Sequence, residues 1–254
     1  MTAIDLTAPA KEMTGSGPMV SVIVVVKNGE DYLAAALQSI FDQDYRHWEI
    51  LVVDGRSTDN TAKIAASYPA IRYIRQTDDG LANARNTGIR AARGDLIAFL
   101  DHDDLWAPAK LRRQVEYLEH NIEILYTITH VRFFLQQGHP LRSGFKKGDF
   151  ESERVGCTPS TLVARRRAFE VIGEFNPELA IACDADWFAR ARDGGLPATV
   201  IPEALVYKRI HTANTSANVS TNRKELLGVI QKSVERKREM YGHGGPSSRN
   251  GDTV

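Results

Sequence analysis

The apolar positions of the N-terminal half fall into four short runs, each followed by a polar turn and then a helical pattern. Val20 to Val26 is a β-branched run interrupted only by Ser21; without polar alternation it suits a strand buried on both faces. Leu33, Leu37, Ile40 and Phe41 recur at helical spacing behind it. Trp48 to Val53 repeats the strand, Asp54-Gly55-Arg56-Ser57 makes a turn, and Thr58-Asp59-Asn60-Thr61 supplies cap-type residues for a second helix. Ile71 to Ile74 predicts a third strand. The helix expected over Gly80 to Arg93 carries Leu81, Ala84, Gly88 and Ala91 or Ala92 on one side, small enough for close approach to a sheet or ligand. Leu96 to Leu100 is the fourth strand. This alternation predicts an α/β fold with a mostly parallel, Rossmann-like sheet flanked by helices.

Past Asp104 the pattern loosens. Pro108 to His120 reads as an amphipathic helix, Ile124 to Leu135 as a strand, and Gln136 to Cys157 as a polar loop. Ser160 to Ala164 predicts a short strand and Arg165 to Ile172 a helix ended by Gly173. Ala185 to Asp193 predicts a helix stopped by Gly194-Gly195, before two last strands over Ala198–Ile201 and Ala204–Ile210. Ser220 to Tyr241 forms a terminal helix with Leu226, Leu227, Val229, Ile230 and Val234 on one face. Its basic face carries Arg223, Lys224, Lys232, Arg236, Lys237 and Arg238. The expected organisation is a disordered leader over residues 1–18, one domain over 19–218, the amphipathic helix over 219–241 and a disordered tail over 242–254.

Composition narrows the class. Lys plus Arg and Asp plus Glu are equal at 32 each, so no global field draws the chain to nucleic acid. Cys157 and Cys183 match no metal-ligand spacing and demand no disulfide. No apolar run approaches the roughly 20 residues of a membrane span, and residues 1–18 lack a signal-peptide core. The expected location is the cytoplasm, with peripheral attachment to the inner face of the membrane through the terminal helix as an added expectation.

The candidate chemistry lies where the fourth strand ends. Asp101-His102-Asp103-Asp104 crowds three carboxylates at the carboxyl edge of the sheet, where open α/β proteins bind ligands. A divalent cation sharing a substrate phosphate would neutralise them. The alternative is an acidic cap for the helix entered at Pro108.

Val20–Asn28, Val52–Thr61, Ala84–Gly88 and Phe99–Trp106, with Cys183–Phe188 and Tyr207–His211 later, resemble the motifs of family 2 glycosyltransferases in order and spacing, over Val20 to Ser216. The resemblance implies the GT-A fold, a nucleoside-diphospho-sugar donor, Mg²⁺ or Mn²⁺ as cofactor, and inversion at the anomeric carbon without a covalent intermediate. It assigns Asp103 and His211 to the metal, and Val25, Lys27, Asn28, Asp54, Asp79, Arg85 and Asp101 to the nucleotide, with Asp101 nearer the ribose. Asp104 becomes a cap or a support for the pair. Asp184 matches the base, placed just before the helix of Trp187 and Phe188, with Asp186 in reserve; an N-cap is the alternative.

Three positions depart from the family's pattern. Cys183 replaces the first of two tandem acids, Lys27 stands where an aromatic often stacks on the base, and Gly55 replaces an acid that often reads uracil. These departures leave open a catalytically impaired sugar-nucleotide-binding protein of the same fold. The acceptor, a glycan, a lipid-linked sugar or a small molecule, has no signature, and neither has the oligomeric state. A dehydrogenase is disfavoured because Val26–Glu30 lacks Gly-x-Gly-x-x-Gly.

Overall fold

The computed structural model describes residues 17–138, 146–211 and 219–242. Most of the expected leader and tail therefore lie outside the described residues, as do residues 139–145 of the expected loop. The elements run β1 (Val20–Val26), α1 (Leu33–Phe41), β2 (Trp48–Asp54), α2 (Thr61–Ala66), β3 (Ile71–Arg75), α3 (Leu81–Ala91), β4 (Leu96–Asp101), β5 (Leu105–Trp106), α4 (Lys110–His120), β6 (Tyr126–Leu135), β7 (Glu153–Val155), β8 (Val163–Arg165), α5 (Arg166–Ile172), α6 (Cys183–Asp193), β9 (Ala198–Ile210) and α7 (Val219–Gly242).

All strands join one sheet in the order β3-β2-β1-β4-β8-β6-β9-β5, with β7 added to β6. β3, β2, β1 and β4 are parallel, as the alternation predicts. Beyond β4 the sheet is mixed: β8 is antiparallel to β4 and β6, β6 and β9 are parallel, and β5 is antiparallel to β9. Hydropathy carries no signal for strand direction, so the mostly parallel expectation holds for the first half alone.

Alternation in β1 splits the core. Val20, Val22, Val24 and Val26 face a cluster with Leu33, Leu37, Leu96 and Leu111. Ile23 and Val25 face a second cluster that holds Phe99, Phe169, Phe175 and Trp187. Four boundaries differ from expectation. Pro159–Thr161 is a 3₁₀ turn before β8 rather than the start of a strand, because Thr161 Oγ1 donates to the Gly156 and Thr158 carbonyls and Ser160 Oγ turns to Asp104. The last two strands are one, β9, with its register against β6 shifted around Pro202. The polar stretch before Cys157 contributes β7 to the sheet. α6 begins at Cys183, so Asp184 sits in its first turn rather than ahead of it.

α7 has two working faces. Val229 and Ser233 are buried, Ser233 and Arg236 donate to Asp193, and Glu225 accepts the backbone N–H groups of Ala180, Ile181 and Ala182 just before α6, each at 2.9 Å. The adjacent face leaves Leu226, Leu227, Ile230 and Val234 exposed. The helix thus packs on the domain and still presents an apolar stripe.

Small residues on α3 set its distance from the sheet. A Cβ on Gly88 would lie 2.4 Å from Ile23 Cγ2, on a β-branched core residue with little freedom to retreat. Gly88→Ala should therefore lower unfolding stability by about 1–3 kcal/mol despite alanine's better helix propensity. Denaturant titration checks it; equal or greater stability would show that α3 is not held at van der Waals contact.

Candidate active site

The chain after β4 turns sharply, with Asp104 N–H donating to the Asp101 carbonyl at 3.0 Å, and β5 then pairs Leu105 with Tyr207 of β9. That pairing carries the basic end of β9 to the acidic turn. Asp103 Oδ2 lies 3.0 Å from His211 Nε2, and both side chains are largely buried. The His211 ring packs on Tyr32 with centroids 4.7 Å apart. Arg209 donates Nε–H to the Asp103 carbonyl at 2.9 Å and lies over the rings of Tyr32 and Phe134.

Asp104 is wholly buried and caps nothing: the residue preceding α4 is Ala109, with no side-chain cap. It accepts from Ser160 Oγ and Lys208 Nζ, both at 2.8 Å, and from the Arg209 N–H at 3.2 Å. Burial pushes its pKa up to about 7, opposed by Lys208 and reinforced by the neighbouring carboxylates. For Lys208, burial works against the charge, but the three carboxylates outweigh it and raise its pKa above the ordinary value. Three donors converge on Asp104, which fits a carboxylate beside an ammonium.

Asp101 is bridged from two sides, by Lys208 Nζ at 3.5 Å and Arg85 Nη2 at 3.2 Å. Burial disfavours its charge, yet these two cations hold the carboxyl below its usual range. Asp103 is likewise held low, since its bond to His211 and the charge of Lys208 outweigh burial. Arg85, from the second turn of α3, is almost completely buried and does not pair with Asp79. Its Nη1 donates to Cys183 Sγ at 3.2 Å, and its Nε has no partner among the described residues. Burial pushes the Cys183 thiol up, against the pull of Arg85.

Asp184 is half-buried at the first turn of α6. Burial raises its pKa, and Arg85 and the Ala185 N–H oppose the rise. Asp186 is engaged by Arg190 at 2.8 Å, buried, and so removed from the reserve role.

The expected nucleotide residues divide. Lys27 is exposed beside Gly55, on the same edge as Asp79, which is ion-paired with Arg56. Asn28, at φ +50°, accepts from the Thr58 N–H and donates its own N–H to Ser57 Oγ, tying the first two loops together. Asp54 is buried, with one oxygen accepting from Ser57 and the other from the Tyr73 hydroxyl, so it holds the loop after β2. Val25 keeps its side chain in the core, leaving only backbone to face the cleft. Lys208, Ser160, Tyr32 and the Arg85–Cys183 contact are additions. The one sequence signal for Lys208 was the need of three adjacent acids for a counter-charge. A cavity of about 460 Å³ between α3, α6 and α7 lies outside this cleft and is lined by the paired charges Arg90–Glu174 and Arg190–Asp186.

Among the described residues no three His, Cys, Asp or Glu side chains gather as a closed metal cage. The donors at Asp103 and His211 instead fit a cation that fills its other positions with phosphate oxygens and water. These residues lie at the carboxyl edge of the parallel half of the sheet. The fold matches solved GT-A structures: Staphylococcus aureus TarS 1-349 in complex with UDP-GlcNAc (TM-score 0.69, 20% identity, 85% of this chain and 66% of that one), and the mannosyltransferase PcManGT from Pyrobaculum calidifontis in complex with GDP-Man and Mn²⁺ (TM-score 0.66, 20% identity, 94% and 74%).

Residues 21–172 match the model for Glycosyl transferase family 2, and the chain belongs to that family. It is 36% identical over 135 residues to the putative teichuronic acid biosynthesis glycosyltransferase TuaG of Bacillus subtilis, covering 51% of this chain and 53% of that protein. An uncharacterised glycosyltransferase of Rickettsia typhi is 32% identical over 230 residues, covering 82% of this chain and 69% of its own length. The chain thus spans about half the length of TuaG and about two thirds of the Rickettsia protein.

Proposed function

We propose that the chain is an inverting, metal-dependent glycosyltransferase that moves a sugar from a nucleoside diphosphate to an acceptor hydroxyl in the synthesis of a surface polysaccharide. The observation that carries this reading is the Asp103–His211 pair, two metal-competent side chains 3.0 Å apart on elements distant in sequence. Mn²⁺ or Mg²⁺ held there would stabilise the charge that grows on the leaving diphosphate. The acceptor hydroxyl loses its proton to Asp184 as its oxygen forms the new bond to the anomeric carbon and the bond to the diphosphate breaks. A carboxylate raised by burial suits a base working near neutral pH. Lys27 and the Asp79–Arg56 edge would line the nucleotide. The name of TuaG and the nucleotide complexes of TarS and PcManGT support the donor and acceptor classes proposed for this chain.

One pair of variants separates the roles. Asp103→Ala should abolish Mn²⁺-dependent nucleoside diphosphate binding while the fold survives. Asp184→Asn should retain donor binding and lower turnover by about 10²–10⁴-fold. Calorimetry with Mn²⁺ and UDP or GDP, alongside product formation, reads both. Undiminished Mn²⁺-dependent affinity in the first variant removes Asp103 from the metal, and parallel loss of binding and turnover in the second makes Asp184 structural.

α7 supports a hold on an anionic membrane surface. Leu226, Leu227, Ile230 and Val234 are exposed on the side that also presents Arg223 and Lys237, with Lys224 and Arg238 flanking it. Arg236 is spent on Asp193, and Lys237 Nζ also reaches that carboxylate at 3.8 Å, which leaves Arg223, Lys224 and Arg238 as the basic residues nearest the stripe. Among the described residues no helix is long and apolar enough to cross a membrane. A basic residue near such a surface contributes about 1 kcal/mol, weakened by salt. Removing α7 would also strip Glu225 from the entry to α6, so the double variant Ile230→Gln, Val234→Gln is the cleaner probe. Co-sedimentation with phosphatidylserine vesicles should be salt-sensitive in the intact protein and lost in this variant. A protein left in the supernatant at low salt contradicts the hold.

A further inference from the structure

Lys208 places a fixed ammonium beside carboxylates that would otherwise attract a metal. Its Nζ lies 2.8 Å from Asp104 and 3.5 Å from Asp101, and its side chain is only 27% exposed. Hydration lost by a buried amine must be recovered from its partners. The cations of the cleft differ in what they leave available. Arg85 reaches Asp101 from the other side and turns its second nitrogen to Cys183. Arg209 directs its Nε to the Asp103 carbonyl and lies over two aromatic faces. Lys208 is the compact point charge set directly against the acidic turn.

Counted with every carboxylate ionised, the charges nearly cancel: Asp101, Asp103, Asp104 and Asp184 stand against Arg85, Lys208 and Arg209, a formal difference of one negative charge. A bare divalent cation entering this set would reverse its sign beside a fixed ammonium. The same cation carrying a sugar nucleotide's diphosphate, whose charge matches its own, would leave the balance unchanged.

We propose that Lys208 is a resident counter-cation that prevents the acidic turn from capturing a divalent ion alone, so that the ion is taken up with the donor's diphosphate. The inference rests on the Asp103–His211 cation site proposed above. Lys208 acts through Asp101 and Asp104 and is a positioning residue. Coulomb repulsion across a partly buried site is ample for a tenfold effect on ion affinity.

The test measures Mn²⁺ binding through loss of the free-ion electron paramagnetic resonance signal, with the nucleotide's own Mn²⁺ binding subtracted. Wild type, Lys208→Gln and Lys208→Arg are each titrated without nucleotide and with a uridine or guanosine diphospho-sugar. Wild type should bind Mn²⁺ at least about tenfold more tightly with the nucleotide. Lys208→Gln, which keeps a donor for Asp104 and removes the charge, should tighten nucleotide-free binding about tenfold. Lys208→Arg should behave as wild type. Unchanged nucleotide-free affinity in Lys208→Gln overturns the proposal, as does equal wild-type affinity with and without nucleotide. That wild-type comparison stands even if Lys208→Gln does not fold. Failure of the underlying site looks different: Asp103→Ala then binds Mn²⁺ with nucleotide as well as wild type does.

Discussion

A carboxylate shut away from water must find a cation or enough hydrogen-bond donors, and Asp104 is shut away completely. Its partner, Lys208, is far away in sequence. Bringing the two together requires the curled path by which β5, a few residues after β4, pairs with β9 at the other end of the sheet. Removing one member of such a pair typically costs about 3–5 kcal/mol because the other is left uncompensated. The same contact fixes the turn between them, and with it the direction of Asp103 toward His211. Site geometry and fold stability therefore share one electrostatic anchor.

The two halves of the sheet divide the labour around that anchor. The parallel half ends in the loops after β1 and β2, tied together by Asn28 and Ser57, with Asp54 at the end of β2 held by Ser57 and by Tyr73 of β3. The mixed half supplies what comes from elsewhere in the chain: the 3₁₀ turn with Ser160, the first turn of α6 with Asp184, and the end of β9. Arg85 joins the halves, since its guanidinium spans from Asp101 on β4 to Cys183 on α6. α7 braces this arrangement through Glu225, which receives the chain entering α6.

The first half was legible because its physics is local. Unbroken apolar strands and small residues on α3 each have a local signature, and β1 to β4 follow it closely, although no side chain caps α2 at Asn60. The second half was less so. Ser160 to Ala164 has strand composition, but the Ser160 hydroxyl bonds to distant Asp104 and the Thr161 hydroxyl to the nearby Gly156 and Thr158 carbonyls, which makes its first part a turn. The strand expected to break at Pro202 runs through because a register shift absorbs the irregularity. Asp103 and His211 could be picked from motif order. The contact of Asp54 with Tyr73 on the neighbouring strand was not legible, because no pattern in the chain announces a cross-strand partner. Lys208 was hidden for the same reason: its role depends on three acids a hundred residues earlier.

The central claim, that a sugar nucleotide and a divalent cation bind this cleft together, is tested most directly by thermal shift across a panel of sugar nucleotides with and without Mn²⁺. A ligand of the native state raises its apparent stability with the logarithm of its free concentration relative to its Kd. The account predicts that at least one nucleoside-diphospho-sugar raises the melting temperature strongly with Mn²⁺ and weakly with a chelator present. Stabilisation of equal size in both conditions, or none from any member of a panel spanning uridine, guanosine, cytidine and thymidine donors, would contradict it.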